Sequence, residues 1–270
     1  MEYMQPFGFQ AVRCFVAVIG LIPIIAIMDC FHKDGRSYIK RWADPNLWKA
    51  GILCGIPLFL ACNLQQVALI DTDAGKAGFL TAMYIIFVPI LGIFFKEKPG
   101  KIIPISVLIA TVGLYFLSCS NGFQIGSGDL LLLGCALMFS VQISFVGKFA
   151  SKVDALRLNA IQALVCSILS AVVMFFGETP PTLQDISTCA LSMIHTGLFS
   201  MGIAYGLQII GQKNLKPSAA SLLLSLESVF AAIFGILFLQ EKMTGKEIFG
   251  CFLIFAAVIL SQITPKQKVK

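Results

Sequence analysis

The 270-residue chain is 57% hydrophobic and only 13% charged, with a mean hydropathy of +0.87 and a formal net charge of +6. Soluble domains carry roughly half apolar and a quarter charged residues, so a water-soluble enzyme is excluded, as are a disordered, collagen-like or coiled-coil chain. What remains is a polytopic membrane protein whose positive charge faces anionic lipid rather than nucleic acid.

Apolar blocks bounded by charged or Gly/Pro-rich breaks fall at about 7–28, 47–70, 75–95, 101–118, 128–147, 155–176, 188–211, 217–239 and 247–263. A membrane-crossing helix needs about 20 residues, and these blocks are too long for the roughly 10-residue alternating strands of a barrel. Backbone groups in hydrocarbon must be paired within their own segment, so the expected fold is all-α with nine transmembrane helices. The first block is expected to be retained, because residues 1–10 contain no Lys or Arg and no small-residue cleavage site follows.

Lys and Arg mark cytoplasmic loops. Lys33, Arg36, Lys40, Arg41 and Lys49 follow the first block, and Lys96, Lys98 and Lys101 follow the third. Lys148, Lys152 and Arg157 follow the fifth, Lys213 and Lys216 the seventh, and Lys266, Lys268 and Lys270 the ninth. The alternate breaks hold only Lys76, Lys242 and Lys246. This split sets the C-terminus in the cytoplasm, with the 264–270 tail basic, and nine helices then put the N-terminus outside.

Nine scattered cysteines form no CxxC pair, and the two histidines, His32 and His195, lie far apart. The cysteines are expected to be small apolar fillers, with no metal and no cofactor. HExxH, GxSxG, P-loop and GxGxxG patterns are absent, which leaves no visible enzyme chemistry.

Self-comparison finds an internal repeat. At an offset of 143 residues, ten identities fall in the 35 positions from 61 to 95, including Gln65/Gln208, Ala77/Ala220 and Gly92/Gly235. Glu97-Lys98 recurs one residue later as Glu241-Lys242. The second, third and fourth blocks thus match the seventh, eighth and ninth, and the first matches the sixth weakly. A shift of five helices reverses direction across the membrane, giving an inverted repeat of the kind found in transporters. The expected domains are a first repeat over 1–118 and a second over 128–263. The fifth block has no partner, so the first repeat is one helix short.

The run Gln65-Gln66-Val67-Ala68-Leu69 with Thr72 to Gly92, and the stretch Ala219 to Lys242, resemble the paired signature regions of the EamA-type family of the drug/metabolite transporter superfamily. The resemblance covers nearly the whole chain. It implies a ten-helix (5+5) inverted repeat moving small metabolites, often amino acids and often outward, by alternating access across the cell membrane. Arg13 and Glu227 match positions that commonly carry those residue types, while Ser228 stands where a proline usually follows the glutamate. The first family helix is absent, and a truncated start, which would return the N-terminus to the cytoplasm, is favoured over a nine-helix protein.

Glu227 lies ten residues into the eighth block, about 15 Å deep and near the midplane at 1.5 Å per residue. A carboxylate there is costly and usually faces a cavity or a partner, so Glu227 is a candidate substrate-binding group. Its repeat equivalent is Tyr84, which suggests a central polar pocket between the repeats; an ordinary packed aromatic is the alternative. Arg13 could snorkel outward, pair with Glu227 or bind a substrate carboxylate. Gln65 and Gln208 are candidate gate or helix–helix polar contacts, and Pro23, Pro57 and Pro89 are candidate bending points. The expected function is a secondary transporter, with a non-transporting scaffold or an intramembrane enzyme as alternatives. The expected partners are a small-molecule substrate and the lipid bilayer, with a homodimer left open.

Overall fold

The computed structural model describes residues 4–31, 38–72, 74–94, 102–118, 126–239 and 244–262. Lys33, Arg36, Lys96, Lys98, Lys101, Lys242, the Glu97-Lys98/Glu241-Lys242 match and the 264–270 tail lie outside them. The described elements are all helical: α1 (Pro6–Phe31), α2 (Tyr38–Trp42), α3 (Pro45–Ala68), α4 (Ala74–Ala82), α5 (Tyr84–Phe94), α6 (Ile103–Ser118) and α7 (Ser127–Phe149). There follow α8 (Ala155–Gly177), α9 (Leu183–Thr188), α10 (Ala190–Ile194), a π-helix (His195–Ala204), α11 (Tyr205–Gln212), α12 (Pro217–Leu224), α13 (Leu226–Leu239) and α14 (Gly245–Gln262).

Among the described residues, seven helical stretches are long and apolar enough to cross a membrane. They are Pro6–Phe31, Pro45–Ala68, Lys76–Phe94, Ser127–Phe149, Ala155–Gly177, Ala190–Gln212 and Pro217–Phe238, with a shorter apolar helix over Ile103–Leu117. The surface is the reverse of a soluble protein's. Phe94, Phe175, Phe176, Leu191 and Phe238 are exposed, while Gln10, Ser140, Gln142, Asn159, Gln162 and Ser170 are buried. Large apolar side chains outside and polar ones inside suit hydrocarbon as the solvent.

The chain divides into two compact units, and neither is a sequence half. Unit 1 takes residues 1–70 and 145–214, and unit 2 takes 71–144 and 215–270.

In unit 1, α8 packs against both α1 and α3, and α1 also packs on the π-helix. Start signals fix the helix entries. Asp44 precedes Pro45 and accepts a hydrogen bond from the Asn46 backbone N–H at 2.9 Å, and Asp154 accepts from that of Arg157 at 2.9 Å. Glu178, at the far end of α8, reaches back to accept from the backbone N–H groups of Phe7 and Gly8 at 3.0 and 2.9 Å. Its carboxylate thereby satisfies two orphan donors at the positive end of α1. The α3–α8 contact is set by Gly51 and Gly55: a Cβ on the first would lie 2.3 Å from Ile161 Cγ2, and one on the second 2.7 Å from Val165 Cβ. Small residues four apart let helices approach closely in lipid, where apolar burial drives nothing.

A charged clasp closes the same unit. Asp29 in α1 accepts from Arg41 in α2 at 2.7 Å through one oxygen and from Arg157 in α8 through the other. Arg157 is 2% exposed, lies 3.5 Å from Asp154, and packs against the rings of Trp42 and Tyr38 at 5.5 and 5.8 Å. One carboxylate thus joins three helices, with aromatic faces covering the cation.

In unit 2, α6 and α14 meet backbone to backbone. A Cβ on Gly113 would fall 2.8 Å from the Gly250 carbonyl oxygen, and one on Gly250 would fall 2.6 Å from that of Gly113. The Phe116 and Phe249 rings flank this crossing edge to face at 5.6 Å. Lys76 donates to Asp129 at 2.7 Å, tying α4 to the start of α7.

The third and eighth apolar blocks, expected as continuous helices, are each interrupted. Met83 separates α4 from α5, with Met83 N–H bonded to Leu80 O at 3.2 Å and Ile86 N–H to Met83 O at 2.9 Å. These are tighter i→i+3 bonds. Ser225 separates α12 from α13, and its hydroxyl donates back to Leu222 O at 2.7 Å, a contact that bends helices. Pro23, Pro57 and Pro89 lie inside α1, α3 and α5 without ending them.

Gly113→Ala is expected to lower stability in detergent by about 1–3 kcal/mol through overpacking, while Gly78→Ala, whose Cβ would meet nothing within 4 Å, should leave the thermal midpoint unchanged or raised. Asp29→Ala should cost about 2–4 kcal/mol, somewhat below the full penalty of an orphaned buried charge because Asp154 still faces Arg157. Lys49→Ala, at an exposed position, serves as the comparison and should shift the midpoint little.

Candidate functional site

Two polar constellations carry the residues singled out from the sequence, one in each unit. In unit 1 the centre is Arg13, in the third turn of α1. Its guanidinium packs 5.8 Å from the Phe9 ring centroid and reaches the Cys62 thiol of α3, which Tyr205 of α11 also engages. Cys14 and Cys166 lie within its electrostatic reach. Arg13 therefore turns into the unit instead of snorkelling to an interface. Among the described residues no carboxylate pairs with it, and its Nε is buried without a partner. The guanidinium is thus half-buried with no carboxylate beside it, and its fork has the geometry to take a carboxylate bidentately.

A polar stripe continues from Arg13 through the unit. Gln10 Nε2 donates to the sulfurs of Cys14 and Cys166 at 3.1 and 3.4 Å, and those sulfurs are 3.5 Å apart. Ser167 donates to Ala11 O at 2.8 Å, and Asn63 Nδ2 donates to Ser170 Oγ at 2.9 Å. Gln10 Oε1 and Asn63 Oδ1 are buried and unbonded. Such acceptors cost roughly 1–3 kcal/mol each if left dry, so polar company for Arg13 is built into the helix contacts.

The cysteines thus divide. Cys54 is packed in the apolar core, whereas Cys14, Cys62 and Cys166 belong to the hydrogen-bonded group beside Arg13. Among the described residues no group of three potential ligands could hold a metal ion.

In unit 2, Tyr84 is the first residue of α5 and Glu227 the second of α13, so the two repeat-matched positions open the second halves of the two interrupted helices. Tyr84 is buried, at 9% exposure, and lies within electrostatic reach of Glu227, whose side chain is exposed. Backbone bonding carries on across each interruption: Ile86 and Phe87 N–H bond Met83 O at 2.9 and 3.3 Å, and Ser228 N–H bonds Ser225 O at 3.3 Å.

Gln65 lies in the last turn of α3, and its carbonyl accepts from Leu69 N–H at 3.0 Å; Gln208 lies in α11. Both are half-buried. His195 opens the π-helix at an exposed position with its ring 5.6 Å from that of Phe199. Gln10, Asn63 and Asn159 were not singled out from the sequence. Their signal was available: Asn159, Gln162, Cys166, Ser167 and Ser170 recur at helical spacing along one face of α8.

The chain matches the description "EamA-like transporter family" over residues 1–119 and again over 126–262. It belongs to that family. The EamA assignment agrees with relatives across nearly the whole chain. It is 34% identical over 261 residues to an uncharacterized transporter of Archaeoglobus fulgidus, covering 96% of this chain and 78% of that protein. The threonine/homoserine exporter RhtA of Salmonella typhimurium is 27% identical over 266 residues, covering 97% and 84%. A crystal structure at 18% identity superposes with a TM-score of 0.78 over 98% of this chain and 90% of its own, which speaks for the fold. This EamA protein is accordingly a multi-pass membrane protein of a transporter family, with a small molecule as the family's kind of substrate.

Proposed function

We propose that the chain is a secondary transporter that exports small metabolites carrying a carboxylate, amino acids such as threonine among them, by alternating access. The observation that carries this reading is the pair of matched interruptions at Met83 and Ser225, which open on Tyr84 and Glu227. Interrupted helices in corresponding positions of two repeats mark substrate sites in transporters.

The packing supports reading the two halves as an inverted repeat, over 1–118 and 128–263, with nine spans. Helices matched by the internal repeat touch each other, α1 with α8 and α6 with α14, and α5 touches α12, the other half of its matched block. The contact of α3 with α8 has its counterpart in that of α1 with the π-helix. Such exchange symmetry is what a pseudo-twofold axis produces, and the double match to the EamA family points the same way.

Arg13 is assigned to the substrate carboxylate, since it is a half-buried cation with no acid of its own. Glu227, beside Tyr84, is assigned to a proton or to the substrate ammonium. Gln65 and Gln208 stand near helix ends as gate or helix–helix contacts. The membrane is the cell membrane, and the C-terminus faces the cytoplasm, as the lysine and arginine distribution requires.

Proteoliposomes containing the protein are expected to move radiolabelled threonine, and absence of flux for any amino acid would overturn the transport reading. Arg13→Gln should cut the apparent affinity about 10- to 100-fold, the value of a charge-assisted hydrogen bond, with Arg13→Lys in between. Glu227→Gln should flatten the dependence of flux on pH between about 5 and 9; an unchanged profile removes Glu227 from proton coupling.

A further inference from the structure

The seventh apolar block contains a feature that transport alone does not explain. Residues His195–Ala204 form a π-helix ten residues long, whereas most π segments are single turns inserted in α-helices. Its i→i+5 pattern persists to the end, where Tyr205 N–H reaches back to Ser200 O as well as Gly202 O. Such a register is disfavoured by itself and needs support from its surroundings.

Asn159 of α8 supplies that support. Its side chain is 1% exposed, and Nδ2 donates to both Met201 O at 3.0 Å and Gly202 O at 2.8 Å. Its oxygen accepts from Gln162 Nε2 at 2.9 Å, so the amide orientation is fixed by a second buried side chain. All the hydrogen-bonding directions of the amide that matter for the π segment are used.

The supported segment touches the Arg13 constellation at both ends. Gly197 lies against α1 at Arg13 itself: a Cβ there would fall 2.7 Å from Arg13 O. Tyr205, the first residue after the π segment, engages Cys62 next to Arg13. A π-helix holds more residues per turn than an α-helix, so converting the segment to α would rotate everything beyond it. Tyr205 would leave Cys62, and a bulkier neighbour of Gly197 would be driven toward the Arg13 backbone.

We propose that Asn159 is a positioning residue for substrate binding: its amide holds residues 195–204 in the π register, and that register aims Tyr205 at the Arg13 site. Conversion between π and α forms is then the local rearrangement that assembles or disperses the site. The binding part of this inference rests on the transport reading, while the register part stands without it.

The test compares the parent with Asn159→Leu, which keeps the approximate volume and loses the amide, with Asn159→Asp, which loses the donor, and with Asn159→Gln. Hydrogen exchange in detergent, with no substrate present, should quicken at least about tenfold for the amides of residues 202–206 in Asn159→Leu and Asn159→Asp. Apparent threonine affinity in the same preparations should fall about tenfold with the maximal rate less affected, and Asn159→Gln should recover part of both. Should Asn159→Leu not fold, the Asn159→Asp comparison decides alone. Unchanged exchange overturns the register role whether or not the parent moves threonine. Quickened exchange with unaltered affinity overturns the link to Arg13. A parent that moves no amino acid counts against the transport reading, and the exchange result still stands.

Discussion

In hydrocarbon there is no water to satisfy a free backbone N–H or C=O, and this constraint organises the molecule. It makes every described element a helix, and it makes each departure from a regular helix a place where something else must serve the backbone. At the π-helix the Asn159 amide meets two carbonyls. At the start of α1 the Glu178 carboxylate meets two N–H groups. At Ser225 a hydroxyl turns back to Leu222 O. The irregular segments and the polar side chains beside them are one design, and the residues assigned to transport lie next to these repairs.

The same solvent removes the usual reason for helices to stick together. Burying leucine against leucine gains little when the alternative is a lipid tail, so contacts rely on close backbone approach and on polar side chains inside. Both units follow this rule with different emphasis. Unit 2 uses Gly113 against Gly250, backbone on backbone. Unit 1 adds polarity: the Asp29 clasp at one level, and the chain from Gln10 through Cys166 to Ser170 and Asn63 at another. Arg13 gains a hydrogen-bonding environment from that polarity without gaining a counter-ion, which leaves its charge available.

How much of this was legible beforehand differs by range of interaction. Hydropathy alone located the helical blocks, because a span must be long and apolar whatever it packs against; α1 (Pro6–Phe31) and α8 (Ala155–Gly177) end within a few residues of their expected limits. The repeat offset linked Tyr84 to Glu227, yet nothing in the local sequence showed that both would open a half-helix. Prolines suggested bends at Pro23, Pro57 and Pro89, while the interruptions fell at Met83 and Ser225, where a tight turn and a hydroxyl contact replace a regular bond. Arg13 was visible as an odd charge, but its orientation depended on Cys62 and Tyr205, far away in sequence. Asn159 looked like one polar residue in an apolar run, and its partners at Met201 and Gly202 are fixed only by how α8 meets the next helix.

The division of the chain into interleaved units bears on how it is made. Each unit draws one segment from either side of the middle of the sequence, so neither can close while only the first half has left the ribosome. Asp29 waits 128 residues for Arg157, and Gln10 waits 156 for Cys166. Until then Asp29 has Arg41 and Gln10 has Cys14 for company, and the partners that α8 brings to α1 are still missing. Assembly is thus a late event of synthesis, and a chain stopped near its midpoint holds the beginnings of both units and the completion of neither.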